Sequence, residues 1–189
     1  MKTFLSSIIV FFLMALASAP VKAQSEAKAP GMTVGMQLTE VGQNYGIGIN
    51  ASSPTFASGV LAVRATATMH YYEIPGTSEA EMVWSRFGQF RLGMVSNSPV
   101  CACGVRVYGE TGPVAVRPNT AFSNGNWQVG WYGLFGAEFE LSRNSLFFFE
   151  MGGQGVTSEN TGIRLGGASF GNGFIASAGY RIQFFPGKK

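Results

Sequence analysis

From Gly31 onward, apolar and polar residues alternate with a period of two. Met32, Val34, Met36 and Leu38 stand against Thr33, Gly35 and Gln37, and Tyr45, Ile47, Ile49 and Ala51 stand against Gly46, Gly48 and Asn50. The longest run sets Leu61, Val63, Ala65, Ala67, Met69 and Tyr71 against Ala62, Arg64, Thr66, Thr68 and His70. Successive side chains of a strand point to opposite faces, so this period predicts strands with one apolar face each. The same reading predicts strands over 82–95, 101–110, 126–141, 145–155 and 173–185, which makes eight in all. Strands of about ten residues match the roughly 9–11 that a tilted strand needs to cross a bilayer.

The connections alternate as well. Those over 73–81, 111–125 and 156–172 are long, whereas Ser96 to Pro99 and Ser142 to Asn144 are short. Long loops on one side and short turns on the other are the pattern of an up-and-down barrel in an outer membrane. The fold expected is therefore all-β, an eight-stranded antiparallel transmembrane β-barrel over 31–185. With both termini on the periplasmic side, Tyr71, Trp84 and Trp127 fall at the outer strand ends and Phe139, Phe147 and Phe184 at the inner ones, as two aromatic girdles.

The polar faces would then line a lumen. Arg64, Arg91, Arg106 and Arg181 fall there together with Glu110, Glu138, Glu140 and Glu150. An eight-stranded barrel is just wide enough for its own side chains to fill, so these charges are expected to pair and plug it. Inward glycines such as Gly46, Gly48, Gly130, Gly136 and Gly152 would make room for them.

Composition agrees with an outside that does not face water. Charged residues are 12% of the 189, against 46% hydrophobic and 13% aromatic, whereas a water-soluble surface carries about 25–35% charged residues. The net charge of +3 is scattered, with no run beyond Lys188-Lys189, and a nucleic-acid partner needs a clustered basic stripe. No Asp occurs, which removes EF-hand loops and Asp-based triads. Lys2, the apolar stretch Phe4 to Ala17 and the small-residue pattern Val21-Lys22-Ala23 read as a secretory signal peptide over 1–23, cleaved near Ala23. A short periplasmic leader over 24–30 and a tail over 186–189 would flank the barrel. After cleavage, no apolar run is long enough for a transmembrane helix.

The C-terminal stretch Ser177-Ala178-Gly179-Tyr180-Arg181-Ile182-Gln183-Phe184 resembles the terminal-strand signal of bacterial outer-membrane β-barrels. That signal is a polar residue, any, Gly, two of any, a hydrophobic residue, any, and Phe, carried here by Ser177, Gly179, Ile182 and Phe184. With the export signal and the strand pattern, the chain resembles the small outer-membrane protein β-barrel (porin-like) family over about 31–185. The resemblance implies recognition by the outer-membrane assembly machinery and closure of the last strand on the first. The chain runs on past Phe184 as Phe185-Pro186-Gly187-Lys188-Lys189, where many members stop at the aromatic.

No chemistry emerges beside this. His70 is the only histidine, and although Ser85 and Glu73 could be imagined near it, His70-Tyr71-Tyr72 departs from the His-x-Ser-Asn pattern of the lipid A deacylases. Cys101 and Cys103 fall on one strand face. Extended residues i and i+2 lie about 6.6 Å apart, too far for a disulfide without a bulge or turn, so lipid-facing or free thiols are expected. The glycine-rich 166–173 segment opens no helix, so it fails as a phosphate cradle.

The expectation is an integral barrel in the outer membrane of a Gram-negative bacterium, with lipid around it. It would have a structural or loop-mediated role, no catalytic site, no cofactor and no metal. The alternative is a secreted or periplasmic lipocalin-like carrier, in which the same alternation turns inside out and the apolar face lines a cavity. A lipid-modifying barrel enzyme is the third reading, and an activity lost in His70→Ala would mark it.

Overall fold

A computed structural model describes residues 31–75, 82–119, 127–142, 144–157 and 170–184. The expected signal peptide, leader and C-terminal tail lie outside the described residues, as does most of each long loop. The elements are β1 (Met32–Val41), β2 (Asn44–Ser52), β3 (Leu61–Pro75), β4 (Met82–Asn97), β5 (Val105–Arg117), β6 (Gln128–Ser142), β7 (Ser145–Val156) and β8 (Gly173–Phe184). Each pairs antiparallel with the next, and β8 closes on β1 from Met32↔Phe184 to Val41↔Ile175. Closure leaves no strand edge unpaired.

Two ends follow from this topology. Met32, Phe184 and the connections at 53–60, 98–104 and 143–144 share one end, here called the terminal end. The connections at 42–43, 76–81, 118–127 and 157–172 share the far end. The two longest connections, 118–127 and 157–172, are thus both at the far end.

The alternation decides which face turns outward. Along β2, Tyr45, Ile47 and Ile49 are exposed, while Asn44, Gly46, Gly48, Asn50 and Ser52 are buried. Met36 and Leu38 on β1, Leu92 on β4, and Trp131 and Phe135 on β6 are likewise exposed. The interior holds Thr66, Thr68, Gln89, Arg64, Arg91, Arg106, Arg181, Glu110, Glu138 and Glu150. Apolar side chains point out and polar ones in, the opposite of a carrier with an apolar cavity, so the lipocalin-like arrangement is overturned.

β5 differs most from its expected bounds. The alternation predicts a strand over 101–110 and a loop over 111–125, which holds Pro113, Pro118, Asn119 and Asn124. In the structure β5 begins at Val105 and runs through Pro113 to Arg117. Pro113 has no N–H to give, and the β4–β5 ladder passes from Arg91↔Val114 to Met94↔Thr111 without a pair at Leu92 or Gly93. The β6 side stays continuous, with Pro113 opposite Trp131, so the strand tolerates its proline.

Candidate functional site: the barrel interior

Inward positions are set by parity along each strand, and the long polar side chains converge in the half of the lumen toward the terminal end. Arg181 on β8, fully buried, places Nη2 2.6 Å from Glu150 Oε1 on β7 and Nη1 2.5 Å from Glu138 Oε1 on β6. Arg64 on β3 reaches Glu110 Oε2 at 2.8 Å, Glu150 Oε1 at 3.0 Å and Glu138 Oε1 at 3.5 Å. Arg106 on β5 closes on Glu138 through both Nε and Nη2. Neutral groups take up the remaining valences. The hydroxyls of Tyr108 and Tyr132 donate to Glu150 and Glu110, each at 2.6 Å. Arg64 Nε donates to Ser52 Oγ, and Arg181 Nε donates to Asn50 Oδ1, which is itself tied to Gln37. Arg181 also lies 3.5 Å from the Phe148 ring centroid, a close cation–π contact.

Room for this network comes from glycine. A Cβ on Gly136 would meet Tyr108 Cζ at 2.5 Å, and one on Gly93 would run into the Tyr132 hydroxyl and Glu110. Gly136 was among the inward glycines expected to make room. Gly93 was not.

Toward the far end the lining changes. Gln89 and Gln154 donate to each other across the barrel at 3.0 and 3.1 Å. Beyond them Val41, Phe87, Val116, Val156, Phe170 and Ile175 form an apolar cluster. Phe170, from the β7–β8 connection, meets the Phe87 ring edge-on with centroids 5.8 Å apart. Charged side chains thus occupy one half of the lumen and an apolar cluster the other, and sequence reading missed Phe170 in that cluster because it belongs to a loop.

Two of the expected lumenal charges stand apart. Glu140 is exposed and takes no part in the network. It faces the same side as Leu146, its partner on β7, but lies where the β6–β7 register shifts at the rim, so water reaches it. Arg91 on β4 is 1% exposed, yet its Nε and Nη1 meet no acceptor and it makes no ion pair among the described residues. Its nearest aromatic is Tyr132, 5.3 Å to the ring centroid. Every strand except β4 supplies a member of the network, and β4 carries the cation left out.

The cysteines are the second correction. Cys101 and Cys103 form a disulfide with Cα atoms 5.2 Å apart, and they lie in the β4–β5 turn, not on β5. The chain bends there, which brings the pair within reach where an extended strand would not.

His70 is fully buried, stacked on Phe87 at 5.0 Å with Nδ1 3.4 Å from the Asn44 carbonyl. The ring is therefore packed against the apolar cluster. Among the described residues no cluster of His, Cys, Asp or Glu is suited to a metal ion. The outer aromatics Tyr71, Trp84 and Trp127 are exposed near the far end, and Phe139, Phe147 and Phe184 near the terminal end. Of the terminal-strand residues, Ile182 and Phe184 face outward, Ser177 is buried with its hydroxyl on Thr39, and Gly179 packs against the Met36 carbonyl.

No protein-family model matches the chain, and no curated protein matches it. A solved structure does: the N-terminal β-barrel domain of OprF from Pseudomonas aeruginosa, at 11% identity and TM-score 0.53, over 81% of this chain and 96% of that one. The likeness is one of fold. The chain is a closed, eight-stranded, all-antiparallel β-barrel with the fold of that domain.

Proposed function

We propose that this chain is an integral outer-membrane barrel with a plugged lumen, one that contributes as a structural element or through its far-end loops and does not conduct. The interior carries this reading. Four buried arginines and three buried glutamates fill one half, and the apolar cluster around Phe87 and Phe170 closes the other. The apolar exterior suits lipid, and the exposed aromatics at both ends suit the two interfaces, where amphipathic rings collect. Placing the termini in the periplasm puts the loops over 76–81, 118–127 and 157–172 outside the cell, where a partner would meet them. The Ser177, Gly179, Ile182 and Phe184 pattern on β8 would be read by the assembly machinery, since β8 is the strand that closes on β1.

Single-barrel conductance in a planar bilayer tests the plug. The expected trace is flat at potentials that open porins. Steady ion current at neutral pH would overturn the plugged reading while leaving the barrel intact.

A further inference from the structure

We infer that the Cys101–Cys103 disulfide is a thiol–disulfide exchange site held at the membrane surface, and that its partners are exported proteins or small molecules carrying thiols. This goes beyond the structural role proposed above. Its periplasmic address rests on the orientation proposed there, and the chemistry itself does not.

The turn does not need the bond. Ser98 N donates to Val107 O at 2.9 Å, and Val107 N donates back to Ser98 Oγ at 3.1 Å. Cys101 N donates to Val105 O at 2.9 Å, Gly104 N donates to Cys101 O at 3.0 Å, and Glu140 N donates to Gly104 O at 2.9 Å. Gly104 has φ +74°, a left-handed conformation that glycine adopts without strain. The register on either side is fixed by ladders to β4 and β6. A disulfide spanning one intervening residue also removes very little chain entropy, since that contribution grows with the logarithm of the loop it closes. As a staple it is nearly redundant.

Its setting suits reaction. Cys101, Ala102 and Cys103 are all exposed, in a turn one step beyond Phe139, whose partner on β5 is Val105. Exposed disulfides that stabilise little are the ones that exchange readily. These are the only cysteines in the chain, so no third thiol can reshuffle the pair. An incoming thiolate attacks one sulfur, the Cys101–Cys103 bond breaks, and the other cysteine leaves as a thiolate. The second thiol of the incoming dithiol then attacks the mixed disulfide. The partner departs oxidised, and the barrel keeps two thiols. A disulfide of the glutathione class restores the barrel by the reverse exchange.

The test uses the folded barrel purified from outer membranes in detergent. It is equilibrated with reduced and oxidised glutathione and then tagged with a thiol-reactive maleimide. With reduced glutathione in excess, most chains should take two tags while remaining folded by gel mobility. With oxidised glutathione as oxidant, the barrel should speed disulfide formation in a reduced dithiol peptide by about tenfold or more over the Cys101→Ser/Cys103→Ser variant. With oxidised glutathione and no peptide, Cys103→Ser alone should hold glutathione on Cys101 as a mixed disulfide, because no second thiol remains to expel it. A bond that stays closed in reduced glutathione, thiols that stay open in oxidised glutathione, or equal peptide rates for wild type and variant would each overturn the inference.

Discussion

Glu138 on β6 and Arg181 on β8 meet at 2.5 Å across the lumen, although β7 lies between their strands. The contact ties the closing strand to the body of the barrel. Removing one partner of a buried pair costs about 3–5 kcal/mol, because the other is left charged and dry. Glu138→Gln is thus expected to lower the unfolding free energy of the refolded barrel in micelles by that margin, read from a urea titration. Arg181→Met added to it should cost much less than a second full penalty, and strict additivity would show that the two side chains do not interact.

Arg91 should behave in the opposite sense. It is buried without an ion pair among the described residues, and its contact with Tyr132 is worth at most about 2 kcal/mol. Arg91→Met is therefore expected to leave stability unchanged or raise it by up to about 4 kcal/mol. A loss as large as that of Glu138→Gln would mean that Arg91 has a partner of equal weight.

Gly93 and Gly136 sit where the two network tyrosines need space. Gly136→Ala would press on a rigid ring held at both ends, so overpacking of about 1–3 kcal/mol is expected. Gly88 faces open space, and Gly88→Ala on the neighbouring stretch of β4 is the control, with an effect near zero in the same urea titration.

The exterior gives a prediction that a soluble barrel would not share. Ile49 is 65% exposed near the middle of β2. Ile49→Arg in lipid vesicles is expected to cost about 2–4 kcal/mol, the value for arginine at the bilayer midplane. On a water-facing surface the same change would be close to neutral.

These sites were unequally legible in the sequence. β1, β2 and β3 as far as Tyr71 could be read almost residue by residue, because period two runs through them without proline and the apolar face is unmistakable. The inward parity of Tyr108 and Tyr132 is also readable, since Tyr108 shares a face with Arg106 and Glu110, and Tyr132 with Gln128 and Gly130. Which arginine meets which glutamate was not, because that depends on how far strands are staggered around the barrel. Glu140 has the right parity and the wrong height, and Arg91 the right face and no partner. The β4–β5 turn, expected at Ser96 to Pro99, instead covers 98–104 and ends on the left-handed Gly104, so β5 is displaced along the chain and absorbs Pro113, expected in the following loop.

A closed barrel resident in the outer membrane is tested most directly by gel mobility in SDS, with and without boiling, of protein from isolated outer membranes. Closed barrels resist SDS until heated because every strand edge is paired. The expected result is a faster or slower band in the unboiled outer-membrane sample that converts to the unfolded position on heating. Protein recovered in the soluble periplasm, with one band before and after boiling, would contradict it.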